Sequence, residues 1–395
     1  MPIRCLFIFG TRPEAIKLCP VIRHMQSRPD QFDIRVTVTA QHREMLDQVL
    51  GAFEVRPDRD LDIMRAGQTL YQSTSRMIAA LESVLAEERP HIVLVQGDTT
   101  TTLCGALAAF YARVPVGHVE AGLRTNDIYA PFPEEMNRVL VGRIATLHFA
   151  ATPEAARNLS RDGVDASRVT VTGNTGIDAV LHVRGALEAG KLAGLNENGL
   201  CNPSKKLIVV TAHRRENFGA GIDRMCAAIA RLARRDDVEI VYPVHPNPEV
   251  RTAVRRNLAG RGNIHLLEPL EYVPFVDLMR RAYFVLTDSG GIQEESSILG
   301  KPVLVLREKT ERPEGVSAGT AVVVGTSEDR IVKTAERLLG DEEAYRQMAR
   351  PHTAYGDGRA SQRITDILAG SGVAGNRVEI AEGFAGSASA QAARA

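Results

Sequence analysis

Three carboxylates stand where chemistry on a bound ligand would need them. QGDTTTT puts Asp98 at the end of one apolar run, HVEAGLRT puts Glu120 at the end of the next, and PFPEEMNR opens a helical stretch with Glu134, Glu135 and, one turn on, Arg138. Acids gathered from neighbouring strand ends point into one space, where they can remove a proton from a substrate and return one. Each has a structural alternative. Asp98 could only cap the following helix, Glu120 could be a buried ion pair with Arg124 or Arg138, and Glu134 could be a first-turn acid favoured by the helix dipole. That all three fall at successive strand ends favours the chemical reading.

A second set of residues suits an anion. TDSGGIQEESS ends an apolar run at Thr287 and opens a helix with Ser289, Gly290 and Gly291, whose bare N–H groups suit a diphosphate. Glu294 and Glu295 follow one turn later. A carboxylate there can accept from both hydroxyls of a ribose, while the other acid of the pair faces solvent. GTRPEAIK (10–17) turns from the first apolar run into a helix. Gly10 allows the tight turn, and Arg12 and Lys17 project near a helix start whose free N–H groups favour phosphate. VTAHRRENFG sets His213 and Arg214 at another strand end, where the imidazole either binds phosphate or a sugar hydroxyl or merely caps the strand.

Other chemistries lack their residues. No GxGxxG follows the first strand, so the dinucleotide fingerprint is missing. The stretch GALEAGKL (Gly185–Leu192) approaches a Walker A loop, but it ends in Leu and follows a helix, and it reads as a helix end. There is no HExxH, and His213 and His245 have no carboxylate company that the sequence forces, so no metal site is expected. Acid–base work on an anionic ligand, without metal or redox cofactor, is what remains.

These residues need strands and helices to position them, and the chain supplies both in alternation. Runs at CLFIF (5–9), 34–40, 91–96, 114–119, 147–151 and 169–173 read as strands, with amphipathic helical stretches such as 13–26 and TLYQSTSRMIAALESVLAEE between them. A polar, Gly- and Asn-rich stretch over 190–206 reads as a linker, and a second series follows with KLIVVTA, VEIVYPV, NIHLLEP, YFVLTD, PVLVL and AVVVG. The βαβα order predicts an α/β protein of two doubly wound, Rossmann-like lobes with a central cleft and ligands at the carboxyl ends of the strands. The expected boundaries are 1–190 for the first domain, 205–355 for the second, 356–372 for a last helix returning to the first, and 373–395 for a flexible tail of small residues.

The 395 residues suit two domains, and 48 basic against 48 acidic side chains give no basic excess of the kind that marks nucleic-acid binders. No apolar run approaches the ~20 residues of a membrane span, and the five cysteines form no CxxC pair. A cytoplasmic protein is therefore expected.

Taken in order, FGTRPEAIK, AQHREMLDQVL, GDTTTT, GHVEAGLRT, PEEMNR, GNTGIDA, AHRREN, YPVHPNP, DSGGIQEE, GKPVLVLR and TERPEGV resemble the non-hydrolysing UDP-N-acetylglucosamine 2-epimerases over about residues 5 to 358. The resemblance implies the GT-B fold, a homodimer and no cofactor. It implies that Ser289, Gly290 and Gly291 hold the diphosphate, Glu295 the ribose, and the backbone near Leu270 and Phe275 the uracil. Arg12, His213 and Arg312 would add contacts to the nucleotide, while Lys17, Asp98, Glu120, Glu134 and Arg138 would surround the sugar. A second UDP-N-acetylglucosamine, an activator in such enzymes, would take Gln41, Glu44, Glu134, Arg214 and His245. Gly67 departs from the family's pattern at that pocket, where some members carry an Arg.

Carbon 2 of the hexosamine has no neighbouring carbonyl, so direct loss of its proton is very unfavourable. The family's route is elimination of UDP to 2-acetamidoglucal followed by re-addition. Acids crowded together in a site closed to water should then have raised pKa values. Rival readings are a hydrolysing epimerase, a GT-B glycosyltransferase and a non-catalytic regulator that binds UDP-sugars.

Overall fold

The computed structural model describes residues 1–39, 43–65, 67–195, 200 and 202–373. Gln41, Cys201 and the tail 374–395 lie outside these residues, as does the side chain of Glu44. The chain divides into two compact units. One is Met1–Ala179 together with the stretch that starts at Gly356, and the other is Val180–Tyr355. The boundary falls inside the helix Thr175–Glu188.

Among the described residues, the first unit holds seven parallel strands: β1 (Ile3–Phe9), β2 (Phe32–Val38), β3 (Arg59–Asp60), β4 (Ile92–Gln96), β5 (Val116–Ala121), β6 (Leu147–Ala150) and β7 (Val169–Val171). Their order across the sheet is β3-β2-β1-β4-β5-β6-β7. The apolar run IRCLFIF is buried almost throughout, and so is β4. A strand apolar on both faces needs cover on both sides, which parallel crossovers supply through their helices. Leu6, Ile8, Val93 and Val95 pack on Met77 and Leu81 of the helix Leu70–Glu88 and on Ala106 and Ala109 of the helix Thr100–Tyr111. β3 has two residues and no apolar run, so hydrophobic periodicity could not announce it.

The second unit is a six-stranded parallel sheet among the described residues. It comprises β8 (Lys206–Thr211), β9 (Val238–Pro243), β10 (Ile264–Leu267), β11 (Phe284–Thr287), β12 (Val303–Val305) and β13 (Ala321–Val323), in the order β10-β9-β8-β11-β12-β13. Its larger core joins Ile208, Val210, Ile240, Phe284 and Leu304 to the helix Ala220–Leu232. The near-Walker stretch has no strand before it, because Gly185 lies within the helix Thr175–Glu188. Parts of the stretch read as a linker lie on this unit: Leu195 N–H donates to Asp277 at 3.0 Å and Asn202 N–H to Glu239 at 2.7 Å.

In each sheet the strand order reverses once, between β1 and β4 and between β8 and β11. At such a reversal the flanking connections leave on opposite faces and open a crevice at the strands' carboxyl ends. Arg12 follows β1 and Asp98 follows β4, while His213 follows β8 and Ser289 follows β11. The candidate residues therefore sit at the switch point of their own sheet.

The last helix, Ala360–Gly370, packs on the helix Arg12–Gln26, with Arg28 paired to Asp366 at 2.6 Å. No side chain of its own N-cap residue closes it. Buried Asp178 accepts from Ser361 N–H at 2.8 Å and Ala360 N–H at 3.3 Å instead. Asp178→Ala should therefore lower stability by about 1–2 kcal/mol, the cost of a lost cap. Chemical unfolding would measure it, and a midpoint equal to that of the parent would contradict the capping role.

Candidate active site

The turn that carries Asp98 is built by threonines. Thr99, not Asp98, is the N-cap of the helix Thr100–Tyr111, accepting from Thr102 N–H at 3.1 Å. The capping alternative for Asp98 is thus overturned, and its carboxylate is left for other work. The Thr99 hydroxyl donates to Glu14 at 2.6 Å, and Thr102 Oγ1 lies 3.1 Å from the same carboxylate oxygen. Glu14 also accepts from Gly10 and Thr11 N–H at 3.0 and 2.7 Å. One buried carboxylate therefore ties the turn after β1 to the turn after β4. The same bonds, with the capping box of Thr11, occupy donors that the sequence reading had left open for phosphate at the start of the helix Arg12–Gln26. Gly10 is required there, since a Cβ would come within 2.0 Å of Thr39 Oγ1.

Glu120, the last but one residue of β5, has a left-handed conformation, φ 61, at a break in register between Val119 and Ala121. That backbone is strained for any residue but glycine, and such strain collects at functional sites. The bulge turns the Glu120 carboxylate onto Lys17 Nζ at 2.5–2.6 Å and onto the Gln96 amide. The alternative pairings of Glu120 fail, because Arg124 holds Asp162 at 2.8 Å and Arg138 holds Asp98 at 2.8 Å. Arg138 reaches back one turn to buried Glu135 at 3.4 Å, and Glu135 in turn accepts from Thr125 and Asn126 N–H at 3.0 Å each. Glu134 is half-buried at the head of the same helix, Glu134–Ile144.

Burial pushes the Asp98 carboxyl up to about 6; Arg138 and Lys17 pull it down, and Glu120 and Glu134 add to the rise. Asp98, Glu120, Glu134, Lys17 and Arg138 therefore form one electrostatic group. A carboxyl that titrates near 6 is suited to give and take a proton at neutral pH.

In the second unit, Asp288 is fully buried behind the β8 and β11 ends. It accepts from His213 and Arg214 N–H at 2.9 and 2.8 Å and from the Asn217 amide at 3.1 Å. Its other oxygen lies 3.5 Å from His213 Nδ1. The His213 ring stacks on exposed His245 at 5.2 Å and 15°. Burial lowers the His213 pKa, Asp288 opposes this, and His245 and Arg214 lower it further. Ser289 is the N-cap of the helix Gly290–Ile298, and its own side chain makes no capping bond. A Cβ on Gly291 would meet nothing within 4 Å, so the protein's own packing does not demand glycine there.

Of the two acids one turn on, Glu294 is buried against the Arg312 guanidinium and Glu295 is half-buried. Leu270, and Phe275 in the helix Tyr272–Arg281, pack with Ile292 of the helix Gly290–Ile298 over Val209 and Val285. The structure thus gathers Leu270, Phe275, Ser289, Gly290, Gly291, Glu295 and Arg312 around one sheet edge. Arg12 lies half-buried in the first turn after β1.

Among the described residues, no group of three or more His, Cys, Asp or Glu could hold a metal ion. For the activator set, Arg214 and His245 flank His213, Gln41 lies outside the described residues, and nothing is seen of the Glu44 side chain. Gly67 has φ 72, a conformation in which an Arg would be strained.

A family model described as UDP-N-acetylglucosamine 2-epimerase matches residues 23–369. The chain belongs to the UDP-N-acetylglucosamine 2-epimerase family. A Yersinia pestis protein of that name is 54% identical over 93% of this chain and 98% of its own length, and one from Escherichia coli K12 is 53% identical over the same shares. The crystal structure of the Neisseria meningitidis UDP-GlcNAc 2-epimerase bound to UDP-GlcNAc superposes with a TM-score of 0.84 at 45% identity, covering 93% of this chain and 99% of that one. A more distant likeness, 14% identity with TM-score 0.58 to the glycotransferase of kitacinnamycin, extends the shared GT-B architecture to glycosyltransferases. No helix among the described residues is long and apolar enough to cross a membrane.

Gln96, Asn137, Glu14 and Asp288 also hold parts of these turns, and no motif singles out any of the four. Their signal was adjacency alone, since each lies within four residues of a residue that was singled out, and nothing in spacing told which neighbour turned inward.

Asp98 stays protonated to a higher pH when folded than when unfolded, so the folded state loses stability as pH rises from about 4 to about 6. Asp98→Asn, which cannot ionise, should raise the unfolding midpoint at pH 7. Below about pH 4, where Asp98 is neutral in both states, the gain should vanish. Equal midpoints at pH 7 would contradict the raised pKa.

Proposed function

We propose that the protein interconverts UDP-N-acetylglucosamine and UDP-N-acetylmannosamine by elimination and re-addition of UDP. The observation that carries this is the group of Asp98, Glu120, Lys17 and Arg138 at adjoining strand ends, with Asp98 titrating near neutrality. In the forward step a carboxylate takes the proton from carbon 2. The electron pair forms the C1=C2 bond, and the C1–O bond breaks with its pair moving onto the β-phosphate of UDP. In the return step the phosphate oxygen attacks C1 and a carboxylic acid delivers a proton to the opposite face of C2. Asp98, Glu120 and Glu134 supply the acceptor and the donor.

The charge that develops on the departing diphosphate is met by the start of the helix Gly290–Ile298 and by His213, with Arg312 on the same unit. Glu295 takes the ribose, and Leu270 and Phe275 the uracil. No step needs a redox cofactor or metal. A second UDP-N-acetylglucosamine as activator would use Arg214 and His245, without the Arg that other members carry at Gly67.

The test is incubation with UDP-N-acetylglucosamine in deuterated water. Formation of UDP-N-acetylmannosamine with deuterium at carbon 2 is expected, and product without label would overturn the elimination. Free N-acetylmannosamine with UDP would make it a hydrolysing enzyme, and no turnover would favour a transferase or a regulator. Replacing Asp98, Glu120 or Glu134 by the amide should lower turnover by ~100-fold or more.

The first unit also exposes Phe110 (61%) and Tyr111 (66%) at the end of a helix. Beside them a cavity of about 920 Å³ is lined by Ile78, Leu85, Ala108, Tyr111 and Val114. A second copy covering this apolar face fits a homodimer. Tyr111→Asp should halve the mass measured by light scattering. An unchanged dimer mass would place the interface elsewhere, and a monomeric parent would refute the dimer.

A further inference from the structure

We infer that His118 is a positioning residue that sets the aim of Asp98, an inference that rests on the acid–base reading of Asp98 given above. The turn between β4 and the next helix presents three consecutive carbonyls, and each is held by a buried side chain from a different element. Thr102 Oγ1 donates to Gln96 O at 2.6 Å, His118 Nε2 to Gly97 O at 2.7 Å, and Asn137 Nδ2 to Asp98 O at 2.8 Å. Gly97 is left-handed, φ 72, and this turns its carbonyl toward β5, where His118 stands two residues before Glu120. The middle carbonyl belongs to the peptide that leads directly into Asp98. Its tilt therefore fixes the direction in which the Asp98 side chain leaves the backbone.

The chemistry of His118 suits that task and little else. A carbonyl cannot donate, so the ring proton lies on Nε2, and Nδ1 is left buried with no partner. Burial pulls the His118 pKa down to about 4, against the Gly97 bond, with Arg124 and Arg138 lowering it further. His148, in register with it on β6, is likewise neutral. His118 thus offers the turn one N–H and adds no charge beside Arg124 and Arg138. Arg138 and Glu134 face Asp98 from their helix, Glu120 from β5 and Lys17 from the helix Arg12–Gln26. A fully buried side chain that leaves one nitrogen unpaired to make a single bond to a turn carbonyl is poorly chosen for stability alone. A donor that clamps the turn without adding charge preserves the desolvation that keeps Asp98 near neutrality.

The experiment compares His118→Gln with His118→Asn in the full-length protein. The Gln amide nitrogen overlays Nε2 and can keep the Gly97 bond, whereas the Asn amide overlays Nδ1 and cannot. Turnover and KM for UDP-N-acetylglucosamine are measured from about pH 5 to about pH 9, with thermal unfolding alongside. His118→Asn should lose about 10- to 100-fold in kcat with KM little changed, the usual penalty of a misdirected group. The limb of its kcat profile nearest pH 6 should move to lower pH, because a loosened turn admits water to Asp98. His118→Gln should recover much of both. If the smaller Asn does not fold, His118→Phe, which fills the ring's volume without a donor, takes its place.

An unmoved limb, or a Gln variant no better than Asn, overturns the inference. Asp98→Asn separates the two claims. If it keeps near-parental turnover, the acid–base reading of Asp98 fails. If it is inactive while the His118 variants keep the parental profile, only the positioning role fails.

Discussion

Burial of the Asp98 carboxylate just past the end of β4, with Glu120 of the neighbouring β5 adding to its cost, is the constraint around which the first unit's site is arranged. Lys17 meets Glu120 and Arg138 meets Asp98, yet burial still leaves Asp98 titrating near 6. Neither cation is local in sequence. Lys17 lies 103 residues from its partner, in the first helix. The parallel sheet makes the meeting possible, since every strand in it ends on the same edge and every following turn delivers its side chains there. The strain accepted at Glu120 and the close approach of Gly10 to Thr39 follow from crowding so many turns onto one edge.

The second unit solves a different problem with the same topology. Its switch point must present positive character without ion-pairing it away. Burying Asp288 behind the turns lets one carboxylate organise the His213–Arg214 backbone and face the imidazole, while the Ser289 side chain leaves the start of the helix Gly290–Ile298 uncapped by its own residue. The proposed division of labour puts anion binding in this unit and proton transfer in the other.

Much of the site was legible because chemistry-bearing residues fall at strand ends, and strand ends are announced by the apolar runs before them. Asp98, Glu120, His213 and Ser289 stand out as candidates in that way. Which neighbour would serve as scaffold was not legible. In GDTTTT the cap belongs to Thr99 and not to Asp98, and in PEEMNR the buried acid is Glu135 as well as the half-buried Glu134. The choice turns on a rotation of a fraction of a helical turn, which single residues in a motif do not encode.

Hydrophobic periodicity by itself determined the two parallel sheets and their strands apart from the two-residue β3, because buried parallel strands need continuous apolar runs and helices between them. The ordered set of motifs determined the family. Only the tertiary structure decided the pairings: Lys17 with Glu120, Arg138 with Asp98, Glu294 with Arg312 and His118 with the Gly97 carbonyl. Each joins residues from separate βα units, and their distance apart is set by sheet order and turn geometry, quantities that no local stretch of sequence contains.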